Sequence, residues 1–330
     1  MSTLSPTPES TRGSRRPPAR LHRSGNVDLL TWRLAVANLL AQIGIIISGG
    51  AVRLTGSGLG CSTWPMCEPG QFTPVFHEAM TFHPIIEFGN RTLTGVLAVI
   101  AVALLVALYR REPTASRAPA VKGYAWAVLA GIAIQAVVGG FSVLGDLHPL
   151  LVGFHMMLSL ALVAVSAALL VRLAGPDGTR VPLLDGPLRA MPAALAALTA
   201  VMTYLGTLVT GTGPHSGDAS EILRLGFEHE AITKAHSLSV WLFVALTVVA
   251  LVLVARDARS GPGGALHPLR RALTWLAVLC LAVGAIGYVQ YATGLPVLMI
   301  LLHMLGSALV VAAVAVTCAS SVTREARPIL

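Results

Sequence analysis

Gly153-Phe154-His155-Met156-Met157-Leu158-Ser159 and Leu301-Leu302-His303-Met304-Leu305-Gly306-Ser307 repeat one pattern. In each, a histidine is followed at once by methionine and four residues later by serine, inside a long apolar run. Crossing a bilayer core of about 30 Å takes roughly 20 apolar helical residues. An ionisable side chain within such a helix is costly enough that a function is its default reading. Two histidines in register in two separate runs imply that one structural unit occurs twice.

Eight runs are long enough to span, at about 31–53, 85–109, 122–143, 148–172, 188–210, 230–255, 271–293 and 296–318, and the histidines lie in the fourth and eighth. With 330 residues, 55% hydrophobic, 12% charged and a mean hydropathy of +0.74, the chain falls outside the range of soluble domains. These features predict an all-α integral membrane protein with eight transmembrane helices. The helices form two tandem four-helix bundles with pseudo-two-fold symmetry, the axis running along the membrane normal. The expected division is a disordered tail over 1–30, bundles over 31–172 and 188–318, a linker over 173–187 and a tail over 319–330. The Ser-, Pro- and Arg-rich opening has no apolar core of its own and does not read as a signal peptide.

The formal charge is +8, but the basic residues fall between apolar runs rather than in one stripe, which excludes a nucleic-acid partner. They report topology instead. Arg12, Arg15, Arg16, Arg20, Arg23 and Arg33 precede or open the first run, Arg110, Arg111, Arg117 and Lys122 follow the second, and similar clusters occupy alternate loops to Arg324 and Arg327. Only Arg53, Arg91, Arg224 and Lys234 lie on the opposite side. By the positive-inside rule both termini are cytoplasmic, in a multi-pass protein of the cell membrane. Two long loops, about 54–84 and 211–229, and two short turns near Asp146 and Gly294 then face outward.

Candidate chemistry gathers near that outer face. Glu87-Phe88-Gly89-Asn90-Arg91 opens the second run; Glu87 and Arg91, spaced i to i+4, can pair on a helix. Superposing the two halves sets Asn90 at the depth of His236, so each half presents two inward candidates, Asn90 with His155 and His236 with His303. Facing imidazoles in a bundle core are how such units hold a haem iron by two axial bonds; an isolated imidazole can equally hydrogen-bond a neighbouring helix. Gly139 and Gly140, Gly284 and Gly287, and Gly44, Gly49 and Gly50 permit close approach of backbones or of a flat macrocycle. Cys61 and Cys67 bracket Ser-Thr-Trp-Pro-Met in an outer loop, where they read either as a structural staple or as a redox pair. Cys280 and Cys318 read as small buried hydrophobes.

The run from Gly49 through Arg53-Leu54-Thr55-Gly56-Ser57-Gly58-Leu59-Gly60-Cys61, then Trp64-Pro65-Met66-Cys67, resembles the first helix exit and first outer loop of the haem A synthases. Glu87-x-x-Asn90-Arg91, Gly211-Thr212-Gly213-Pro214-His215-Ser216-Gly217-Asp218 and Gly287-Tyr288-Val289-Gln290-Tyr291 with Thr293-Gly294-Leu295-Pro296 extend the resemblance over about residues 31–318.

That resemblance implies oxidation of the C8 methyl group of haem O to the formyl group of haem A. It further implies haem b held by His236 and His303 in the C-terminal half, and the substrate haem beside His155 in the N-terminal half. Glu87 maps to the family's functionally important glutamate and is expected to move protons, Cys61 and Cys67 map to its loop disulfide pair, and Arg53, Arg91, His215 and Lys234 are candidates for propionate contacts. Metal-binding calls fall on His155, His236 and His303. Expected partners are a haem O synthase upstream, cytochrome oxidase assembly downstream and membrane lipid, with a homo-oligomer compatible.

Asn90 departs from the family's commoner Glu-x-x-His-Arg, and an amide is a poor ligand for haem iron beside imidazole. Three arrangements follow: His155 as sole protein ligand, a water bridging Asn90 to iron, or His77 or His83 reaching in. A diheme b-type electron-transfer protein and a transporter with repeated halves are the rival classes.

Overall fold

The computed structural model describes residues 24–75, 81–215, 217–218, 223–260 and 266–325. Eight helices there are long and apolar enough to cross a membrane. They are α1 Leu29–Leu54, α2 His83–Arg110, α3 Pro119–Leu144, α4 Pro149–Ala174, α5 Met191–Thr212, α6 His229–Ser260, α7 His267–Ala292 and α8 Val297–Ser320. Each lies within a few residues of the run expected from hydropathy. Proline sits in the first turn of α2, α3, α4, α5 and α7, where its missing N–H has no intrahelical partner to lose and its φ suits the helix.

Within the first half α1 packs on α2 and α4, and α3 on α2 and α4; within the second, α5 packs on α6 and α8, and α7 on α6 and α8. Two closed four-helix rings result. They join through α4 on α8, with α1 on α8 mirrored by α4 on α5, which is the pattern a two-fold axis through the α4/α8 contact produces. At that seam lie Ile43 and Ile46 of α1, Leu160 and Val163 of α4, and Ala308 and Val311 of α8, with Met156 and Met304 at the edge.

The duplication is visible in single hydrogen bonds. With an offset of 148 residues (303 − 155), the turn after α3 superposes on the turn after α7. Leu147 N donates to Ser142 O at 2.8 Å and Leu295 N to Gln290 O at 2.8 Å; Gly145 N donates to Phe141 O and Thr293 N to Val289 O. Leu147 (φ 55°) and Leu295 (φ 61°) are both left-handed, a conformation disfavoured for branched side chains and held by these bonds.

Packed apolar cores fill each bundle toward the end that carries both described termini, with Leu104, Leu108 and Leu169 in the first and Leu195, Phe243 and Leu273 in the second. Polar clamps close that end. Buried Asp28 caps α1, accepting from Thr31 N at 3.1 Å, and also takes Thr114 Oγ1 and Arg111 Nε at 2.9 Å. Arg117 donates to the Leu173, Arg172 and Gly175 carbonyls at the end of α4 and to Asp177, which satisfies carbonyls that a helix end leaves open. Burial works against ionisation of Asp28 and Asp177, but their hydrogen bonds outweigh it and hold both carboxyls below the ordinary range.

One feature has no counterpart in the sequence reading. The linker and the C-terminal segment, expected as plain connectors, pair as a two-stranded antiparallel sheet of β1 Thr179–Pro182 and β2 Val322–Glu325.

Candidate functional site

Toward the opposite end the cores give way to one largely apolar cavity of about 1080 Å³, lined by residues of both halves. The helix register sets who faces it. Asn90 and His236 are each seven residues past the start of their helices (90 − 83; 236 − 229), and His155 and His303 each six (155 − 149; 303 − 297). All four line the cavity.

In the C-terminal half, His236 and His303 face each other with ring centroids 6.5 Å apart. His236 Nδ1 bonds to the Met202 carbonyl at 2.9 Å, which fixes the ring and leaves Nε2 free. His303 Nδ1 is buried without a hydrogen-bond partner, the Val283 carbonyl lying beside the ring but outside that geometry. Glycine makes room for both rings. A Cβ at Gly206 would stand 3.3 Å from His236 Cε1, and one at Gly287 3.2 Å from His303 Cε1.

The N-terminal half repeats part of this. A Cβ at Gly139 would stand 3.2 Å from His155 Cε1, and His155 Nδ1 is likewise buried without a partner. Across from it, Asn90 Oδ1 accepts from Ser48 Oγ at 2.7 Å. His83 is no substitute ligand, since its Nδ1 bonds Ser57 Oγ at 2.8 Å and it does not line the cavity; His77 lies outside the described residues. His229 repeats the His83 arrangement, with Nδ1 2.7 Å from Thr212 Oγ1.

Among the described residues, only the N-terminal half carries a disulfide-closed loop beside its cavity. Cys61 and Cys67 are bonded and fully buried. Glu87, buried at 4% exposure, holds that loop: Oε2 accepts from Cys61 N at 2.6 Å, and Oε1 accepts from Arg91 Nε at 3.1 Å and Nη2 at 2.5 Å. Arg91 Nη1 then reaches the Thr63 and Met66 carbonyls. Trp64 covers Gly140 of α3, and any side chain at Gly60 would collide with the His83–Pro84 backbone. Glu87 and Arg91 thus sit at the cavity wall as expected, but Arg91 spends its donors on Glu87 and the loop.

The remaining propionate candidates differ in what they are free to do. Arg53 donates to the Thr210 and His215 carbonyls, tying the first half to the loop of the second. Lys234 forms an exposed ion pair with Glu230 at 2.6 Å. Arg53, His215 and Lys234 all line the cavity. Sequence reasoning missed Gly206, Gln42 and Gln135, which also line it, and Ser48, which holds the Asn90 amide. Gln42 and Gln135 were detectable, because a primary amide in an apolar run carries the same kind of cost that drew notice to Glu87.

A family model described as "Cytochrome oxidase assembly protein" matches residues 32–315. The chain belongs to the COX15-CtaA family. Relatives of this family member include a protein named Heme A synthase from Symbiobacterium thermophilum, 29% identical over 54% of this chain and 59% of that protein. Others of the same name come from Bacillus pumilus, 30% identical over 44% of this chain and 45% of that protein, and from Geobacillus kaustophilus, 25% identical over 71% and 74%. The first two matches thus span only about half the length of those relatives.

The name those relatives carry makes a haem the group against which the cavity lining is tested. The C-terminal residues fit one. Two metal–imidazole bonds of about 2 Å, plus about 1.1 Å from each nitrogen to its ring centre, set facing rings about 6 Å apart, close to the spacing between His236 and His303. Among the described residues of the N-terminal half, only His155 lines the cavity with a ligand of that type. Among the described residues no group of three or more His, Cys, Asp or Glu gathers as for an ion held by protein alone.

Proposed function

We propose that the chain oxidises the C8 methyl group of haem O to a formyl group, yielding haem A, at the N-terminal site, while His236 and His303 hold a haem b in the C-terminal half. One observation carries this reading: two sites at matched depth with unequal ligands. The pair of imidazoles suits a coordinatively closed iron. The single imidazole of His155, opposite an amide, suits an iron with an open position beside a buried carboxylate.

Iron bound in these pockets would supply one-electron and oxygen chemistry. The protein's own groups do the rest. His155 orients the substrate from one side, and Gly139 lets its ring lie close to α3. Each hydroxylation, from –CH3 to –CH2OH and on to –CH(OH)2, would take one oxygen atom from O2 while two electrons from a reductant and two protons carry the other to water, and the diol then loses water to give –CHO, so protons must move at the substituent. Glu87 is the carboxylate placed at that wall to accept and pass on a proton, with Arg91 and Cys61 N fixing its two oxygens. The Trp64 loop, closed by the disulfide, shields that wall from water.

Lys and Arg asymmetry supports termini in the cytoplasm and a cavity opening toward the outer side of the cell membrane. A haem O synthase would supply the substrate, and cytochrome oxidase assembly would take up the product. The test is to supply haem O to the membrane-embedded protein under aerobic, reducing conditions and analyse the extracted pigment by mass. Hydroxylated and formyl haem is the expected result. Bound but unmodified haem would instead support a diheme electron-transfer protein, which the His236–His303 pair alone would also suit.

A further inference from the structure

The two halves of the cavity differ most in their deep wall. Gln42 on α1 and Gln135 on α3 both line it, and Gln42 is only 2% exposed. Gln135 Nε2 donates to the His155 carbonyl at 3.1 Å and to Ser159 Oγ, while its Oε1 is buried without a partner, as is Gln42 Nε2. One unmet acceptor and one unmet donor thus remain in the wall of a single site. Leaving such groups unpaired is costly, and each calls for an explanation.

The second half lacks amides at these two positions, although Gln290 also lines the cavity with its Oε1 buried and unpartnered. Aligning Thr55-Gly56-Ser57-Gly58 with Thr210-Gly211-Thr212-Gly213, an offset of 155, sets Gln42 on Ala197; the offset of 148 sets Gln135 on Val283. Fold maintenance does not require them, because the same scaffold closes with alanine and valine.

Depth identifies what they could meet. Counting 1.5 Å per residue from the cavity end of each helix, His155 lies about 9 Å in, Gln135 about 14 Å and Gln42 about 18 Å. A haem entering this cavity keeps its ionised propionates at the rim, where Arg53, His215 and Lys234 stand, because burying them deeper is costly. The opposite edge then points inward. In haem O that edge carries a hydroxyethylfarnesyl chain, apolar except for one hydroxyl on the carbon joined to the porphyrin. The C8 methyl, next to a propionate, stays near the rim with Glu87, which is only four residues into α2 (87 − 83).

We propose that Gln42 and Gln135 form a subsite that hydrogen-bonds the hydroxyl of the hydroxyethylfarnesyl chain and so selects haem O over haem b at the N-terminal site. The subsite rests on the haem O reading above. A hydroxyl both donates and accepts, so its donor suits Gln135 Oε1 and its acceptor side suits Gln42 Nε2. Sites built to bond a substrate hydroxyl reject an analogue lacking it, because their polar groups are then left unpaired.

The test titrates the full chain, carrying its C-terminal haem, with haem O, haem b and a haem O analogue whose hydroxyl is replaced by hydrogen. The readout is the Soret difference spectrum of the N-terminal site. Wild-type protein should bind haem O at least about ten-fold tighter than the deoxy analogue. Gln42→Leu and Gln135→Leu should bring that ratio toward one, with the C-terminal spectrum unchanged as the sign of an intact fold. Gln42→Leu makes no change beside His155 and is the cleaner variant.

Equal binding of haem O and the analogue by wild type, or an undiminished ratio in Gln42→Leu, overturns the subsite while leaving the haem O site standing. Titration curves unaffected by His155→Ala would overturn the functional reading itself, and the subsite with it.

Discussion

The N-terminal and C-terminal halves share a scaffold and differ in lining. They share the left-handed turn at Leu147 and Leu295, the histidine over glycine at His155/Gly139 and His303/Gly287, and the histidine–hydroxyl pair at His83/Ser57 and His229/Thr212. They part at Asn90 against His236, Glu87 against Thr233, Arg91 against Ser237 and Gln135 against Val283. Backbone contacts that fix where a macrocycle could sit were kept in both copies, whereas side chains that decide what happens to it diverged. On the proposed reading, one half holds a group and the other works on one.

The largest expected effect tests the holding half. His236→Ala or His303→Ala should abolish a low-spin haem b spectrum, and His155→Ala should leave it intact; retention of that spectrum in both C-terminal variants would erase the contrast. Next, Asn90→His should make the halves alike. With haem O loaded, the N-terminal site should move from a high-spin, carbon-monoxide-binding spectrum to a low-spin one, and formyl haem production should fall sharply. An unmoved spectrum would place residue 90 away from iron.

Smaller is the effect of Glu87→Ala on folding. Cys61 N loses its acceptor and Arg91 its partner, a cost of about 1–3 kcal/mol, read as a lower thermal midpoint of the solubilised protein. Glu87→Gln, which retains an acceptor, should recover part of it. Smallest is the acid response of the clamp at the terminal end. Because Asp28 and Asp177 are held below the usual carboxylate range, their stabilisation is present above the unfolded-chain pKa near 4 and is lost as pH falls through the lower native value. Asp28→Asn and Asp177→Asn should flatten loss of stability at acid pH and lower stability at neutral pH.

Much of this was legible before the fold was known. Apolar length marked the eight helices, and the His155/His303 repeat marked the duplication, because both signals are local. Loop cysteines and the Glu87–Arg91 spacing were legible for the same reason. What escaped depends on distant partners. No local signal links Thr179 to Glu325, and β1 and β2 are too short and polar to read as strands. The bond from Cys61 N to Glu87 spans 26 residues, so a carboxylate read as a partner of Arg91 and a proton carrier also anchors the loop. Gln42 and Gln135 stand in no motif, although a buried amide is subject to the same desolvation as an ionisable group.

The α4/α8 seam has a consequence for how such a molecule can be assembled. Across it, Met156 and Met304, Leu160 and Ala308, and Val163 and Val311 are each other's equivalents at the 148-residue offset, so the seam is isologous in the manner of a symmetric dimer interface. Two copies of the first half would set leucine against leucine there and two copies of the second alanine against alanine, one overfilled and the other hollow. Large has been matched to small. Separated and mixed, the halves should therefore seek each other rather than themselves, and a protein with two unlike sites cannot revert to one with two alike.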